Sequence, residues 1–314
     1  MMNLLITGGA GFIGSNFIRH MLKEDDHCFI LNVDILTYAS SILYLSEISP
    51  DHRYRFVRGN ILDKQLIRRL LKDYKIDCLI NFAAESHVDN SIKDANLFVQ
   101  TNVLGTTCLL DCAKEANIRF IQISTDEVYG SLSEGYADEN CPLNPSSPYS
   151  ASKASADQFV CAYHKTYGLP FNIVRAANNY GPNQHYEKMI PQMLMRMQNN
   201  EALPVYGDGT NIRDWLYVED FCRAIHLILR KGVNGEIYNI SSHQEIDNLS
   251  LVKKLCDLMQ HDEKRITFVN DRPGHDFRYG VDTRKIEKLG WQGNIFLDEG
   301  LAKTVSWYNK AEIN

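Results

Sequence analysis

Through its first 177 residues the chain alternates short runs of Ile, Leu, Val and Phe with amphipathic segments. That alternation is the strongest constraint on its fold. Asn3–Thr7, Cys28–Val33, Arg55–Arg58, Cys78–Ala83, Phe120–Thr125 and Phe171–Arg175 read as strands. Several are almost continuously apolar, as strands are when both faces of a sheet are covered. Between them Gly11–Leu22, Lys64–Tyr74, Leu97–Ala116 and Tyr149–Tyr167 repeat apolar residues at helical spacing. Strand–helix–strand alternation predicts an α/β fold with a doubly wound parallel sheet.

After about Asn178 the alternation fades into loops rich in Gly, Pro, Asn and Asp. Shorter helical patterns lie at Lys188–Asn199, Val218–Leu229 and Leu249–Met259. The expected organisation is a dinucleotide-binding domain over 1–177 and, mainly, a substrate-binding lobe over 178–314, with segments near 214–240 returning to the first. A net charge of −6 gives no broad reason to bind nucleic acid or an anionic membrane. No apolar stretch approaches the roughly 20 residues that cross a bilayer, and Met1–Thr7 lacks the charged start of a signal peptide. The eight cysteines are scattered without a CxxC pair. They predict reduced thiols, no metal site and a cytoplasmic location.

Gly8-Gly9-Ala10-Gly11-Phe12-Ile13-Gly14 joins the first strand to the first helix. Gly8 permits the tight turn, Gly11 lets backbone amides approach a pyrophosphate, and Gly14 allows close helix–strand packing. Asp34 follows at the end of the second strand. A carboxylate there accepts from ribose hydroxyls and repels a 2′-phosphate, favouring NAD over NADP; a capping role is the alternative. Together these features make the sheet Rossmann-like.

Tyr149 and Lys153 are four apart on a predicted helix and share a face. An ammonium beside a phenol lowers the phenol's pKa toward that of a usable base. Thr125, at the end of the fifth strand, can bond the same substrate hydroxyl. Next to it, Asp126 and Glu127 supply an acid and a base that simple alcohol oxidation does not need. The residues alone do not say which is which.

With the segments Ala83-Ala84-Glu85-Ser86-His87-Val88-Asp89, Ser124–Gly130, Tyr149–Lys153, Asn178-Asn179-Tyr180-Gly181-Pro182, Leu203–Gly209 and Arg272-Pro273-Gly274-His275-Asp276, the whole chain resembles the extended short-chain dehydrogenase/reductase family. Within that family it is most similar to the sugar-nucleotide dehydratases acting on dTDP-glucose. The resemblance implies that Tyr149 takes the proton of the sugar 4-hydroxyl while C4 gives its hydride to NAD+. Glu127 then abstracts the C5 proton, protonated Asp126 donates to the departing C6 hydroxyl, and the hydride returns to C6. The product is dTDP-4-keto-6-deoxy-glucose, and NAD+ is a resident cofactor.

The same resemblance adds Asn60, Ile61, Ala83 and Ala84 to the cofactor site. It places Glu85, Ser86 and His87 near the hexose, and Asn179, Asn248, His275 and Tyr279 on the nucleotide, with Pro204 and Tyr206 near its base. Lys188, Arg213 and Arg272 are candidate diphosphate partners by charge; the alternative for Arg213 is an ion pair with Asp214 or Asp208. The chain departs from the family pattern at Ile35 (usually Lys), at Asn60 (usually Asp), at Ala176-Ala177 (usually Cys-Ser) and at His185-Tyr186 (usually Phe-Pro). Family members pair the helices near 97–116 and 149–167 across a two-fold axis as a four-helix bundle, which implies a homodimer. Competing readings are a UDP- or CDP-glucose dehydratase, a 4-epimerase, a decarboxylase of a nucleotide-linked uronic acid, and a silent NAD-binding regulator.

Overall fold

The computed structural model describes residues 1–310. Its strands are β1 (Met2–Thr7), β2 (Cys28–Asp34), β3 (Tyr54–Arg58), β4 (Cys78–Asn81), β5 (Arg119–Thr125), β6 (Phe171–Ala176), β7 (Asn178–Tyr180), β8 (Leu203–Tyr206), β9 (Ile212–Tyr217), β10 (Glu236–Ile240), β11 (Glu245–Asp247) and β12 (Ile266–Val269). Seven form one sheet in the order β10-β6-β5-β4-β1-β2-β3, and every pair in it is parallel. This is the Rossmann-like, doubly wound arrangement. Strand order reverses between β1 and β4, the crevice where such sheets bind ligands.

Helices cover both faces because the strands are apolar on both. On one face Phe17, Ile18 and Met21 of the helix Phe12–Glu24 pack with Phe221, Ile225 and Ile228 of Val218–Lys231. On the other, Leu70, Leu109 and Val160 come from the helices Lys64–Asp73, Thr106–Ala116 and Pro148–Tyr167. A third core, with Tyr180, Ile190, Leu194, Leu251 and Leu301, holds the smaller lobe together. Two small sheets, β11-β9-β7 and β12-β8, complete that lobe. Of the 214–240 segment, β10 joins the large sheet and Val218–Lys231 packs on its face, whereas β9 pairs with β7 and β11.

Two local differences from the sequence reading bear on the site. β4 ends at Asn81 rather than Ala83. Asn81 is a buried amide that accepts from Thr7 Oγ1 (2.6 Å) and donates to Gln122 Oε1 (2.9 Å). The chain beyond it leaves the sheet and lies over the glycine turn of β1. The helical stretch Ala95–Ala116 is also not uniform, since Val99–Gly105 is a π-helical segment. Such segments re-aim side chains near functional sites, and this one carries the buried Asn102.

Candidate active site

β1 turns at Gly8 with φ +70°, and a Cβ there would lie 2.5 Å from Ala83 N. The loops after β1 and β4 therefore meet backbone to backbone, which only glycine allows. A Cβ on Gly14 would lie 2.4 Å from Gly8 O, so the first helix abuts the turn just as closely. Asp34 fastens the turn from β2: its carboxylate accepts from Ala10 N (3.0 Å), Leu36 N (2.8 Å) and Ser40 Oγ (3.3 Å). The capping alternative is realised, and Asp34 also lines the cavity above the turn.

That cavity, about 380 Å³, is lined by all twelve residues predicted for the cofactor, from Gly8 through Asn60 and Ile61 to Ala83, Ala84, Tyr149 and Lys153. Glu85, Ser86 and Lys188 line it as well. The ammonium of Lys188 donates to Ser86 O at 2.5 Å, tying the loop after β4 to the smaller lobe.

Tyr149 and Lys153 emerge from the helix Pro148–Tyr167, whose start is set by a capping box between Ser147 and Ser150. Lys153 Nζ donates to Ile123 O at 2.6 Å. Burial pushes its ammonium down to about 8, with Asp157 acting the other way. The expectation of a lowered phenol needs correction. Burial dominates at Tyr149 and raises it, helped by Glu127 and opposed by Thr125. In the protein alone a phenolate would cost more desolvation than nearby groups return.

Asp126 and Glu127 open a short 3₁₀ turn, Asp126–Tyr129, capped where Thr125 Oγ1 accepts from Glu127 N at 3.3 Å. Asp126 is buried and its carboxyl is raised well above the usual range, first by burial, then by the charges of Glu127 and Asp214. Glu127 is partly buried and also raised by burial, but Arg272, Arg213 and Lys188 oppose the rise. The environments differ: burial and the charges of Glu127 and Asp214 raise Asp126 against Arg213 alone among the cations, whereas three cations oppose the rise at Glu127.

Those cations come from the smaller lobe. Arg213 forms no ion pair with Asp214 or Asp208; it donates to the carbonyls of Ile212 (2.7 Å), Asp276 (2.9 Å) and Phe277 (3.2 Å) and lies 4.5 Å from the Tyr279 ring centre. Tyr279 donates to Asp276 Oδ2 at 2.8 Å. Arg272 lies 3.6 Å from Asp89, which also accepts from the Tyr206 hydroxyl at 3.0 Å. His275 Nδ1 is 2.6 Å from Asp271 Oδ1. Asn179 and Asn248 each keep a buried side-chain oxygen without a partner, and Pro204 sits beside Tyr206 on β8. His87 lies 3.8 Å from Glu187.

A family model described as GDP-mannose 4,6 dehydratase matches residues 5–304. The chain belongs to this family. Like the other extended short-chain dehydrogenases/reductases, this dehydratase-family chain has full-length relatives. It is 49% identical to the low-salt glycan biosynthesis protein Agl12 of Haloferax volcanii, over 98% of each chain. It is 47% identical to a dTDP-glucose 4,6-dehydratase of Haemophilus influenzae, again over 98% of each. The crystal structure of DesIV, a dTDP-glucose 4,6-dehydratase from Streptomyces venezuelae with NAD and TYD bound, superposes with a TM-score of 0.96 at 46% identity, covering 98% of this chain and 97% of that one.

Some site residues of this dehydratase-family chain escaped the sequence reading. Asn102 exchanges two hydrogen bonds with the Glu85 backbone, at 2.9 and 3.0 Å, and donates to Ser152 Oγ at 2.8 Å. Only the π-helical segment puts it there, and nothing in the local sequence announces one. Glu187 accepts from the Tyr38 hydroxyl at 3.2 Å and lines the cavity with His185. Its signal was present in Gln184-His185-Tyr186-Glu187-Lys188, from which only Lys188 was singled out.

Proposed function

We propose that this chain is an NAD+-dependent dTDP-glucose 4,6-dehydratase. The observation that carries the reading is the buried Asp126 beside the cation-facing Glu127, both acting on the Tyr149 phenol. A 4-epimerase needs Thr125, Tyr149 and Lys153 but has no use for an adjacent acid–base pair of carboxyl groups. Names carried by full-length relatives at 45–47% identity support the dTDP-sugar substrate.

The residues present fit NAD+. A main-chain floor at Gly8, Gly11 and Gly14 leaves room for a diphosphate, Asp34 faces the cavity, and Asn60 and Ile61 line its far end. Bound NAD+ supplies a reversible hydride acceptor and a positive charge. Tyr149 accepts the proton of the sugar 4-hydroxyl, with Thr125 holding that oxygen. Glu127 removes the proton from C5, which a 4-ketone makes acidic, and Asp126 protonates the leaving C6 hydroxyl. Arg213, Arg272, Lys188 and His275 receive the diphosphate; Asn179, Asn248 and Tyr279 fix the nucleotide; Pro204 and Tyr206 flank the base; and Glu85, Ser86 and His87 hold the hexose.

In this reading residues 1–177, with Val218–Lys231 and β10, carry the cofactor, and the rest of 178–314 mainly carries the sugar nucleotide. The eight free thiols suit a reducing cytoplasm. Exposed Leu97, Leu104 and Phe159 on the helical stretches of 95–116 and 148–167 suit a homodimer through a four-helix bundle. Parallel incubations with dTDP-glucose, UDP-glucose and CDP-glucose test the substrate: the reading expects turnover of the dTDP sugar to exceed the others, and preference for UDP or CDP defeats the base assignment. Acid release of NAD from the purified protein tests the cofactor.

A further inference from the structure

The three cations of the smaller lobe are held in different ways. Arg213 is anchored by the carbonyls of Ile212, Asp276 and Phe277, and Lys188 by Ser86 O. The guanidinium of Arg272 has no such anchor among the described residues, and its Nε is buried without a hydrogen-bond partner. What holds it is Asp89, whose Oδ1 lies 3.6 Å from Nη1. That distance makes an ion pair but not a hydrogen bond, and Oδ1 is itself buried without a partner. The other carboxylate oxygen, Oδ2, accepts from the Tyr206 hydroxyl at 3.0 Å. One side chain therefore fixes a cation and an aromatic ring, and it spends none of the guanidinium's N–H donors.

Asp89 reaches these two residues from the other side of the site. It stands at the start of the helix Val88–Lys93, directly after Glu85-Ser86-His87, whereas Tyr206 ends β8 and Arg272 follows β12. A half-buried ion pair adds little to stability, so the arrangement is better explained by what it presents to a ligand. We propose that Asp89 is a positioning residue for the nucleotide: it aims Arg272 at the diphosphate and sets the Tyr206 ring beside the base. It thereby registers the nucleotide end of the substrate on the loop that holds the hexose. The proposal rests on reading Arg272 and Tyr206 as nucleotide contacts.

The rival role for Asp89 is a counter-ion that occupies Arg272 until a diphosphate displaces it. The two roles differ in sign. Removing a competitor tightens diphosphate binding, whereas removing a positioning carboxylate weakens it. The 3.6 Å separation favours positioning, because a competitor would take the paired N–H···O bonds that phosphate oxygens take.

Calorimetric titration of the purified, NAD-loaded protein with thymidine diphosphate reads the sign without turnover. Asp89→Asn still accepts from Tyr206 but loses the charge on Arg272, and it is expected to weaken binding about tenfold. In an Arg272→Met background the same change is expected to cost less than about twofold more, whereas general damage to the fold would cost the same in both. Tyr206→Phe, on an exposed ring, breaks the other arm and is expected to weaken binding about threefold; it keeps the test open if Asp89→Asn does not fold. Unchanged or tighter binding in either folded variant overturns the proposal, as does an equal loss with and without Arg272. So does an unaltered protein that does not bind thymidine diphosphate. A protein that binds it but removes no water from dTDP-glucose would instead strike the functional reading and leave the role of Asp89 standing.

Discussion

At Asp126, burial and two neighbouring carboxylates outweigh the opposing Arg213 and Thr125. Desolvation and the neighbours Glu127 and Asp214 all raise its carboxyl above the ordinary 3.8. A group whose folded pKa exceeds its unfolded value adds stability below the unfolded value and loses it as pH rises through the folded one. At neutral pH Asp126 is therefore a structural liability retained for chemistry. Asp126→Asn is expected to raise stability at pH 7 by about 1 kcal/mol or more in urea unfolding. The same change is expected to cut product formation by about 10²- to 10⁴-fold. Loss of stability together with normal turnover would contradict both assignments. The pH–rate profile should be bell-shaped: its acid limb lies above the ordinary 4.5 because Glu127 must ionise, and its alkaline limb marks loss of the Asp126 proton. The apparent values belong to the pair.

At the scale of elements, the 3₁₀ turn that presents the pair is locked by Gly130. Its φ is +76°, and a Cβ would sit 2.1 Å from Asn144 O. Gly130→Ala is expected to destabilise the protein by about 1–3 kcal/mol and to lower activity further by displacing Glu127. Urea midpoints and turnover check the two effects, and a variant with wild-type values would show that the turn does not position the acid–base pair. The parts of the site that sequence made legible are those with local signals: the glycine turn, Asp34 at a strand end, and Tyr149 and Lys153 four apart on one helix. Asn102 was not legible because its position depends on the π-helical segment. The early end of β4 was not legible because Phe82 and Ala83 are as apolar as the strand before them, while Asn81 is the last residue in register with β1 and β5 and bonds both through its side chain. The raised phenol of Tyr149 was missed for a related reason: helical spacing reports a neighbour's charge but not how deeply both groups are buried.

At the scale of the whole molecule, the large sheet holds the cofactor cavity and the smaller lobe brings Arg213, Arg272 and Lys188 over Glu127. The cations are local, as an anionic ligand requires in a chain of net charge −6. Exposed Leu97, Leu104 and Phe159 leave apolar surface on neighbouring helices. Light scattering is expected to give about twice the 35.9 kDa chain mass. Leu104→Glu is expected to shift the protein toward monomer, and a monomeric unaltered protein would sink the dimer. The central claim is that this site removes water from a nucleotide sugar. Incubating the protein with dTDP-glucose in D₂O and weighing the product by mass spectrometry tests it most directly. The account predicts loss of one water and gain of one carbon-bound deuteron at C5, delivered by the site that took the proton. A product of unchanged formula, isomerised at C4, would contradict it and establish an epimerase.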